Sequence, residues 1–285
     1  MSATLPRDAV AEEAASAEAV EAALAAVERQ RASRQRGLRL LLGALTPLGI
    51  VLVWWYLSAN EIFPTYVLPG PVVVGQTLWR LIQSGEVWAQ TRESFVRVLV
   101  GFAIAIVIGF PLGVALAVYP RTRDLLLPTV RFFYPIPGVA WVPLAILWFG
   151  LGFNALIFTI ASSTVFPIIM TTFAGVVALD PTYHTVMQVF GTNRWLGFRR
   201  VLIPASLPFI LAGLRLAYGV GWRVIISAEM IGATSGLGWM IDNARWQLRS
   251  DIVLAGMVVI GIIGLLVENV GFDLLERKTI GKWAG

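Results

Sequence analysis

Long apolar runs separated by short polar segments fill the chain from Leu38 onward. A helix that crosses a lipid bilayer needs about 20 mostly apolar residues. The pattern therefore predicts an all-α, polytopic membrane protein with about six transmembrane helices. The predicted spans are roughly residues 40–58, 95–119, 125–149, 154–179, 209–231 and 252–275.

Segments outside these spans are predicted to lie in water or at the membrane surface. Residues 1–38 are rich in Ala, Glu and Arg, which favours a cytoplasmic tail or surface helix, and we expect no cleaved signal peptide there. Residues 60–92 are too polar to span, and Pro69 and Pro71 begin an amphipathic stretch typical of a surface helix outside the core. Residues 120–124 are predicted to form a short polar turn. The predicted organisation is a tail, a transmembrane domain and a second cytoplasmic tail, at residues 1–38, 39–276 and 277–285.

Prolines and glycines should make the bundle irregular. Pro135, Pro137 and Pro143 lack backbone N–H groups, so we expect them to break or kink the third span. Gly109 and Gly113 place two small residues one helical turn apart on the second span. A neighbouring helix can approach such a surface closely.

Composition supports a membrane protein and excludes several function classes. Of 285 residues, 57% are hydrophobic and only 14% are charged, whereas about 25% charged is usual for soluble domains. The chain has no cysteine, which excludes disulfides, thiolate catalysis and cysteine metal sites. A single histidine, His184, excludes a histidine-rich metal site. The net charge of +5 reports topology in a membrane protein, so no nucleic-acid partner is expected.

Basic residues are distributed unevenly between the two sides of the predicted bundle. Fifteen lie in the two terminal segments, the 119–131 segment and the 179–209 segment, whereas four lie in 59–93 and 231–250. Because cytoplasmic loops collect Lys and Arg, both termini and the loop at 180–208 are predicted to be cytoplasmic. This orientation requires an even number of spans.

The cytoplasmic loop at 180–208 has the pattern of two short helices joined at a glycine. Asp180 can cap the first helix with Pro181 at its first position, and Gly191 can end it. A following Thr-Asn pair can cap the second helix. The residues alone leave two interpretations open: a loop that lies on the membrane surface, or an element that docks onto a partner.

Short motifs recur in order along the chain. The loop carries Gly191, Arg194-Trp195, Phe198-Arg199-Arg200-Val201, Ile203-Pro204 and Leu207-Pro208. Other motifs are Leu68-Pro69-Gly70-Pro71, the segments 135–144 and 148–152, Gly213-Leu214-Arg215, Ala228-Glu229-Met230 and Gly236-Leu237-Gly238. Together they resemble the permease subunits of bacterial ABC importers, in the taurine, aliphatic-sulfonate and nitrate branch. The resemblance extends over about residues 48–283.

The resemblance implies a type I ABC-importer permease fold and a loop that docks into a groove on a separate ATPase subunit. The coupling residues that it implies are Thr185, Val186, Met187, Val189, Phe190, Gly191, Thr192, Asn193, Arg194 and Pro204. The family often has Glu-Ala-Ala where this chain has Thr185-Val186-Met187, so one acidic contact is expected to be missing.

The resemblance also implies partners and a location in the bacterial cytoplasmic (inner) membrane, surrounded by lipid. A second permease copy would complete the pathway as a homodimer, two ATPase subunits would bind ATP and Mg²⁺, and an extracytoplasmic binding protein would deliver solute to residues 60–92 and 232–250. The chain lacks the Gly-x-x-x-x-Gly-Lys-Ser/Thr phosphate loop, and its only lysines are Lys278 and Lys282. We therefore expect no cofactor on this chain and no enzymatic activity of its own.

Charged residues inside spans are candidates for the translocation path, because a charge at membrane depth is costly unless it faces a cavity or a partner. Arg223 lies nearest the middle of a span and could attract an anionic solute. The alternative is structural pairing with Glu229 or another polar group. Trp141 and Ser163, beside the broken third span, complete the candidate path, and Arg215 is expected to extend toward the cytoplasmic interface.

The expected solute, from the resemblance, is taurine or another aliphatic sulfonate, with nitrate, bicarbonate or another small organic solute as alternatives. A different class, an ion-coupled secondary transporter, would need intramembrane acids or matching broken helices. Glu229 is the only acid well placed for that role, and no internal repeat is evident. A membrane enzyme is disfavoured by the scarcity of His, Cys and paired carboxylates.

Overall fold

The computed structural model describes residues 42–43, 45–179 and 203–280, with the backbone alone at 203, 204 and 280, and these residues form helices without any strand. Contacts divide the chain into two compact units, Met1–Thr65 and Tyr66–Gly285. The first unit contains α1, Leu45–Ala59, an apolar helix shorter than 18 residues.

The second unit contains the remaining helices that the structure describes. They are α2 (Pro71–Gln83), α3 (Glu86–Val118), α4 (Pro120–Phe133), α5 (Val142–Phe149), α6 (Phe153–Val177), α7 (Ile203–Gly232), α8 (Leu237–Trp246), α9 (Ser250–Leu265) and α10 (Phe272–Ile280). A 3-10 turn, Gly138–Trp141, precedes α5. A π-helical turn, Leu266–Gly271, joins α9 to α10, and we call it the π turn.

Four helical segments in the described ranges are long and apolar enough to cross a membrane. They are α3, α6, Ala205–Gly232 of α7, and Ser250–Thr279, which combines α9, the π turn and α10. Helix α4 and the segment Gly138–Phe149 form a fifth span if a bend of 93° is allowed within one span. With α1, each predicted span falls on one of these elements, and the all-α, multi-pass architecture is confirmed.

Two of the prolines in this region lie in the first turn of a helix and do not interrupt one. The predicted polar turn at 120–124 is wrong, because Pro120 occupies the first position of α4, where its missing N–H needs no partner. Pro143 likewise lies in the first turn of α5 and does not kink a helix. Pro135 and Pro137 lie in the break between α4 and the 3-10 turn, as predicted.

Helix α2 packs on the rest of the second unit along one face, whereas Val72, Val73 and Trp79 are exposed, and its position at a membrane surface stays a prediction. Val74, Thr77 and Leu81 are buried along one face. Oγ1 of Thr77 donates to Oδ2 of Asp251 over 2.8 Å, and Asp251 also accepts two hydrogen bonds from the Arg249 guanidinium. The buried face of α2 thus binds the first turn of α9 through Thr77. Helix α7 begins at Ile203, inside the segment predicted as loop.

Helix α6 lies between α3 and α7 and forms the centre of the second unit. Several of its hydroxyl groups are satisfied within the helix: Thr159, Thr164 and Thr171 each donate to the carbonyl one turn earlier, at 2.8 Å. Ser163 makes the same bond to Thr159. Such bonds allow polar residues to be buried where no water is available.

Helices α3 and α6 approach closely at glycines. A methyl group on Gly101 would lie 2.7 Å from Cβ of Ile160, and one on Gly113 would lie 2.7 Å from Cβ of Thr172. A methyl group on Gly109 would lie 3.0 Å from Cγ2 of Ile168. The small-residue surface predicted at Gly109 and Gly113 is therefore a helix contact.

We predict that Gly113→Ala lowers the stability of the protein by about 1–3 kcal/mol, because the added methyl group overfills the α3–α6 contact. The matched control is Gly261→Ala in α9, where a methyl group meets no atom within 4 Å. Thermal unfolding of the detergent-solubilised protein, followed by tryptophan fluorescence, compares the two. Equal unfolding temperatures would contradict this packing.

Candidate translocation site

A buried ion pair joins α3 to the end of α7. Nη1 of Arg97 donates to Oε1 of Glu229 over 2.6 Å. Arg97 is 6% exposed and Glu229 is 1% exposed, so neither charge is solvated to any useful extent. A pair removed from water is tolerated only when further hydrogen bonds satisfy both groups.

Those further hydrogen bonds come from α3 and from the segment before α8. Oγ of Ser94 lies 2.9 and 2.8 Å from the two Glu229 oxygens, and the N–H of Gly238 donates to Oε2 over 3.0 Å. Arg97 also donates to the carbonyl and the hydroxyl of Ser235, over 2.7 and 2.6 Å. Nε of Arg97 is buried without a partner in the described structure. We call Ser94, Arg97, Glu229, Ser235 and Gly238 the Arg97–Glu229 cluster.

Two glycines allow the start of α8 to approach this cluster. Gly236 has φ 108°, a left-handed conformation that favours glycine, and its N–H donates to Oε1 of Gln90 over 2.6 Å. A methyl group on Gly236 would overlap the Glu229 carboxylate, and one on Gly238 would overlap the carbonyl of Ile226. The N-terminus of α8 thus places its positive dipole end at the carboxylate.

The structure separates Arg223 from Glu229. The interpretation that the two form a pair is wrong, because the carboxylate is occupied by Arg97, Ser94 and Gly238. The Arg223 side chain is exposed and forms no ion pair with any residue that the structure describes. A role for either residue in translocation stays a prediction.

The pairing of Arg97 with Glu229 is the feature of the site that the sequence did not indicate. Arg97 falls within the predicted second span, at 95–119, and the sequence alone names no partner for it. The position of each residue along the membrane normal could have indicated the pairing. Arg97 lies near the predicted outer end of the second span, and Glu229 lies near the predicted outer end of the fifth. Two opposite charges at one membrane depth are expected to pair.

Trp141 and Ser163 lie on the contact between the 3-10 turn and α6. The Trp141 ring is 6.0 Å from that of Phe133 and 6.3 Å from that of Phe158, measured between centroids. A methyl group on Gly138 would overlap Oγ of Ser163 and crowd Val224, the neighbour of Arg223 on α7. The broken segment therefore contacts both α6 and α7, close in sequence to Arg223.

The coupling residues are largely outside the described part of the chain. Thr185, Val186, Met187, Val189, Phe190, Gly191, Thr192, Asn193 and Arg194 all belong to the segment 180–202. Pro204 follows Ile203 in the first turn of α7, where only the backbone is described. The coupling role of these residues stays a prediction.

Residues 105–280, which include α6, α7 and the Glu229 side of the cluster, match the profile of the binding-protein-dependent transport system inner membrane component. The chain belongs to this family. Inner membrane components of this family are ABC-importer permeases, so the resemblance found in the sequence is confirmed, as is a location as a multi-pass inner-membrane protein.

Curated relatives in the family differ in the solute that their names state. The chain is 33% identical to the taurine transport system permease protein TauC of Escherichia coli K12, over 88% of this chain and 91% of that protein. It is 36% identical to SsuC of Escherichia coli K12, named for aliphatic sulfonates, over 81% and 88%. It is 33% identical to the bicarbonate transport system permease protein CmpB of Synechococcus elongatus, over 85% and 93%.

Solved structures with the same fold support the type I permease architecture. The chain matches inward-facing conformations of the MetNI methionine ABC transporter in two crystal forms, each with a TM-score of 0.60. Sequence identity is 18% and 20%, and the matches cover 66% and 72% of this chain and 93% and 98% of the solved chains. At this identity the likeness shows the fold alone.

We predict that Glu229→Ala destabilises the permease by about 3–5 kcal/mol, because it leaves the Arg97 guanidinium buried without its counter-charge. Glu93→Ala is the control, since the Glu93 side chain is 49% exposed and lies 3.5 Å from the same guanidinium. Its loss should cost less than about 1 kcal/mol. The double variant Arg97→Leu/Glu229→Leu should be more stable than Glu229→Ala in thermal unfolding. A double variant that is no more stable than Glu229→Ala would mean that the two charges do not depend on each other.

Proposed function

We propose that this permease is the membrane-spanning subunit of an ATP-driven importer for a small anionic solute, with taurine or another aliphatic sulfonate as the first choice. ATP hydrolysis belongs to a separate subunit, and the chain itself binds no cofactor and catalyses no reaction. Nitrate, bicarbonate or another small organic solute is the alternative within the same family.

The observation that supports an anionic solute is the environment of Arg223. Its guanidinium is an exposed positive charge within Ala205–Gly232, and it has no counter-charge within 4.0 Å in the described part of the chain. Facing lipid, such a charge would be costly, so it is expected to face a polar path or a partner. A guanidinium presents several N–H donors in the geometry that sulfonate and carboxylate oxygens accept.

The named solutes of the relatives support this class of substrate. Taurine and aliphatic sulfonates carry a sulfonate group, and bicarbonate is an anion, so each would present negative oxygens to a guanidinium. The Arg97–Glu229 cluster is not available for this purpose, because all of its charged groups are already bonded to one another.

A complete transporter requires further subunits. We propose that two copies of the permease pair to enclose the pathway, that two cytoplasmic ATPase subunits supply energy, and that an extracytoplasmic binding protein docks on the side of residues 60–92 and 232–250. The 15-to-4 distribution of basic residues supports this orientation, with both termini in the cytoplasm.

The loop around Gly191 is proposed to transmit the state of the ATPase to the helices. Such transmission requires an element with two conformations. Both the ATPase and the solute site must shift the equilibrium between them. The loop is directly continuous with α7, which carries Arg223, so its movement can reach the proposed solute contact through one helix.

An ion-coupled secondary transporter is the second candidate class, and the geometry disfavours it. That class would use an intramembrane acid that gains and loses a proton or cation during transport. Glu229 was the acid suited to the role, but Arg97, Ser94 and Gly238 hold its carboxylate. Transport at full rate by the permease alone, without ATP or an ATPase, would favour this class.

We predict that Arg223→Gln lowers ATP-dependent uptake of the sulfonate by at least about tenfold, because it removes one charge-assisted contact. The measurement is solute uptake into proteoliposomes that contain the permease, its ATPase and the loaded binding protein. Arg223→Lys retains the charge and should retain part of the activity, whereas Arg121→Gln, at an exposed position near the start of α4, should transport normally. Normal uptake by Arg223→Gln would contradict the anion contact.

We predict that Arg194→Glu reduces co-purification of the ATPase subunit with the permease by at least about fivefold, because it reverses a charge in the proposed docking loop. The control is Arg92→Glu, an exposed charge reversal on the predicted outer side. Equal recovery of the ATPase with both variants would contradict docking through residue 194.

A further inference from the structure

A polar seam runs between α7 and the last helix, defined here by Arg215, Gly219 and Arg223 on α7 and by Glu268, Asn269 and Asp273 opposite them. At one end, Arg215 donates to Oδ1 of Asp273 and to Oδ1 of Asn269, both over 3.0 Å. Near the other end, Nε1 of Trp222 donates to the carbonyl of Ile260 over 3.3 Å. These bonds fix the register of the two helices along the seam.

Gly219 brings two opposite charges together in the middle of this seam. A methyl group on Gly219 would overlap Oε1 of Glu268 and would lie 3.8 Å from Nη2 of Arg223. The absent side chain therefore leaves a notch that the Glu268 carboxylate enters, with the Arg223 guanidinium beside it. Glu268 can reach the notch from the π turn, a feature often found at functional sites.

The two charges are close but do not bond to each other. The structure shows neither an ion pair within 4.0 Å nor a hydrogen bond between Glu268 and Arg223, and neither side chain bonds to another residue in the described ranges. Arg215, one turn before Gly219, is by contrast fully paired with the same helix. Arg223 is exposed and Glu268 is half-buried, so a small solute can reach both.

A simple anion fits this arrangement poorly. Bound to Arg223, an alkanesulfonate, nitrate or bicarbonate ion would place negative oxygens near the Glu268 carboxylate, and like charges at such short range repel. A solute with an anionic and a cationic end would satisfy both groups. Its sulfonate would accept hydrogen bonds from the guanidinium, and its ammonium would donate to the carboxylate.

We propose that Glu268 and Arg223 form a two-charge site that selects a zwitterionic amino-sulfonate over a simple anion during translocation. This inference rests on the proposed function, since it takes Arg223 as the anion contact. It adds Glu268 as a specificity-determining residue and Gly219 as the residue that admits its carboxylate.

The test compares 2-aminoethanesulfonate (taurine) with ethanesulfonate, which lacks only the amine. Saturation-transfer NMR titrations measure the binding of each to the complete permease–ATPase complex in lipid nanodiscs, without a binding protein, so selection upstream does not contribute. The wild-type complex should bind 2-aminoethanesulfonate about tenfold more tightly. Glu268→Gln should abolish that preference by weakening 2-aminoethanesulfonate alone, whereas Arg223→Gln should weaken both solutes.

Two further variants separate the site from a general effect on folding. Gly219→Ala should lose the preference in the same way, because its methyl group displaces the carboxylate, whereas Glu268→Asp should keep part of it. Glu276→Gln, an exposed carboxylate on the same helix, should behave as wild type. Thermal unfolding of each complex identifies variants that fail to fold, and those are replaced by the conservative variant at the same position.

The outcomes distinguish the two proposals. If Glu268→Gln weakens the binding of both solutes equally, or changes the binding of neither, the two-charge site is overturned. Arg223 would then remain as an anion contact. Unchanged binding of both solutes in Arg223→Gln overturns the anion contact of the proposed function and this inference with it. A wild-type complex that prefers ethanesulfonate, or binds neither solute, also overturns the selection of a zwitterion.

Discussion

The ion pair between Arg97 and Glu229 determines how one end of the helix bundle is assembled. Two charges in a poorly solvated environment require close partners, and the residues of the cluster come from three separate stretches of chain. Ser94 and Arg97 lie on α3, Glu229 lies on α7, and Gly238 begins α8. The pair therefore sets the axial position of α3 relative to α7 and fixes the start of α8 over both.

The same constraint operates inside α6, where the solution is local. The hydroxyl groups of Thr159 and Thr164 donate hydrogen bonds to carbonyls of their own helix. Helix α6 can therefore place these polar side chains at the centre of the bundle without partners from neighbouring helices. Contacts across α6 can then be close and apolar, with Gly101 and Gly113 of α3 against Ile160 and Thr172. In the described ranges, buried polar groups are thus satisfied both by long-range contacts, such as the Arg97–Glu229 cluster and the Thr77–Asp251 bond, and by short-range bonds within α6.

Much of the fold could be predicted from the sequence, because apolar run length alone indicates spans. The proline break at Pro135 and Pro137 and the close glycine surface followed from local chemistry. Helix ends were less predictable: α3 begins at Glu86 because polar residues remain helical beyond the apolar run. The site was hardest, since Arg97 and Glu229 are 132 residues apart and no periodicity specifies which distant charges meet. Family motifs marked Glu229 and Gly236-Leu237-Gly238 but did not indicate that they share one cluster.

The π turn has a consequence for how the last helix compares among relatives. A π-helical turn holds more residues than an α-helical turn, so it is equivalent to a one-residue insertion into a regular helix. Each residue of an α-helix advances the side-chain direction by about 100°. The residues after Gly271 are therefore rotated around the helix axis relative to an uninterrupted continuation of α9, and Asp273 meets Arg215 in that rotated phase. A relative with one residue fewer between 266 and 271 and a regular α-helix there would present the same face of its final turns to α7, whereas a relative with the same number of residues but no π turn would present a different face.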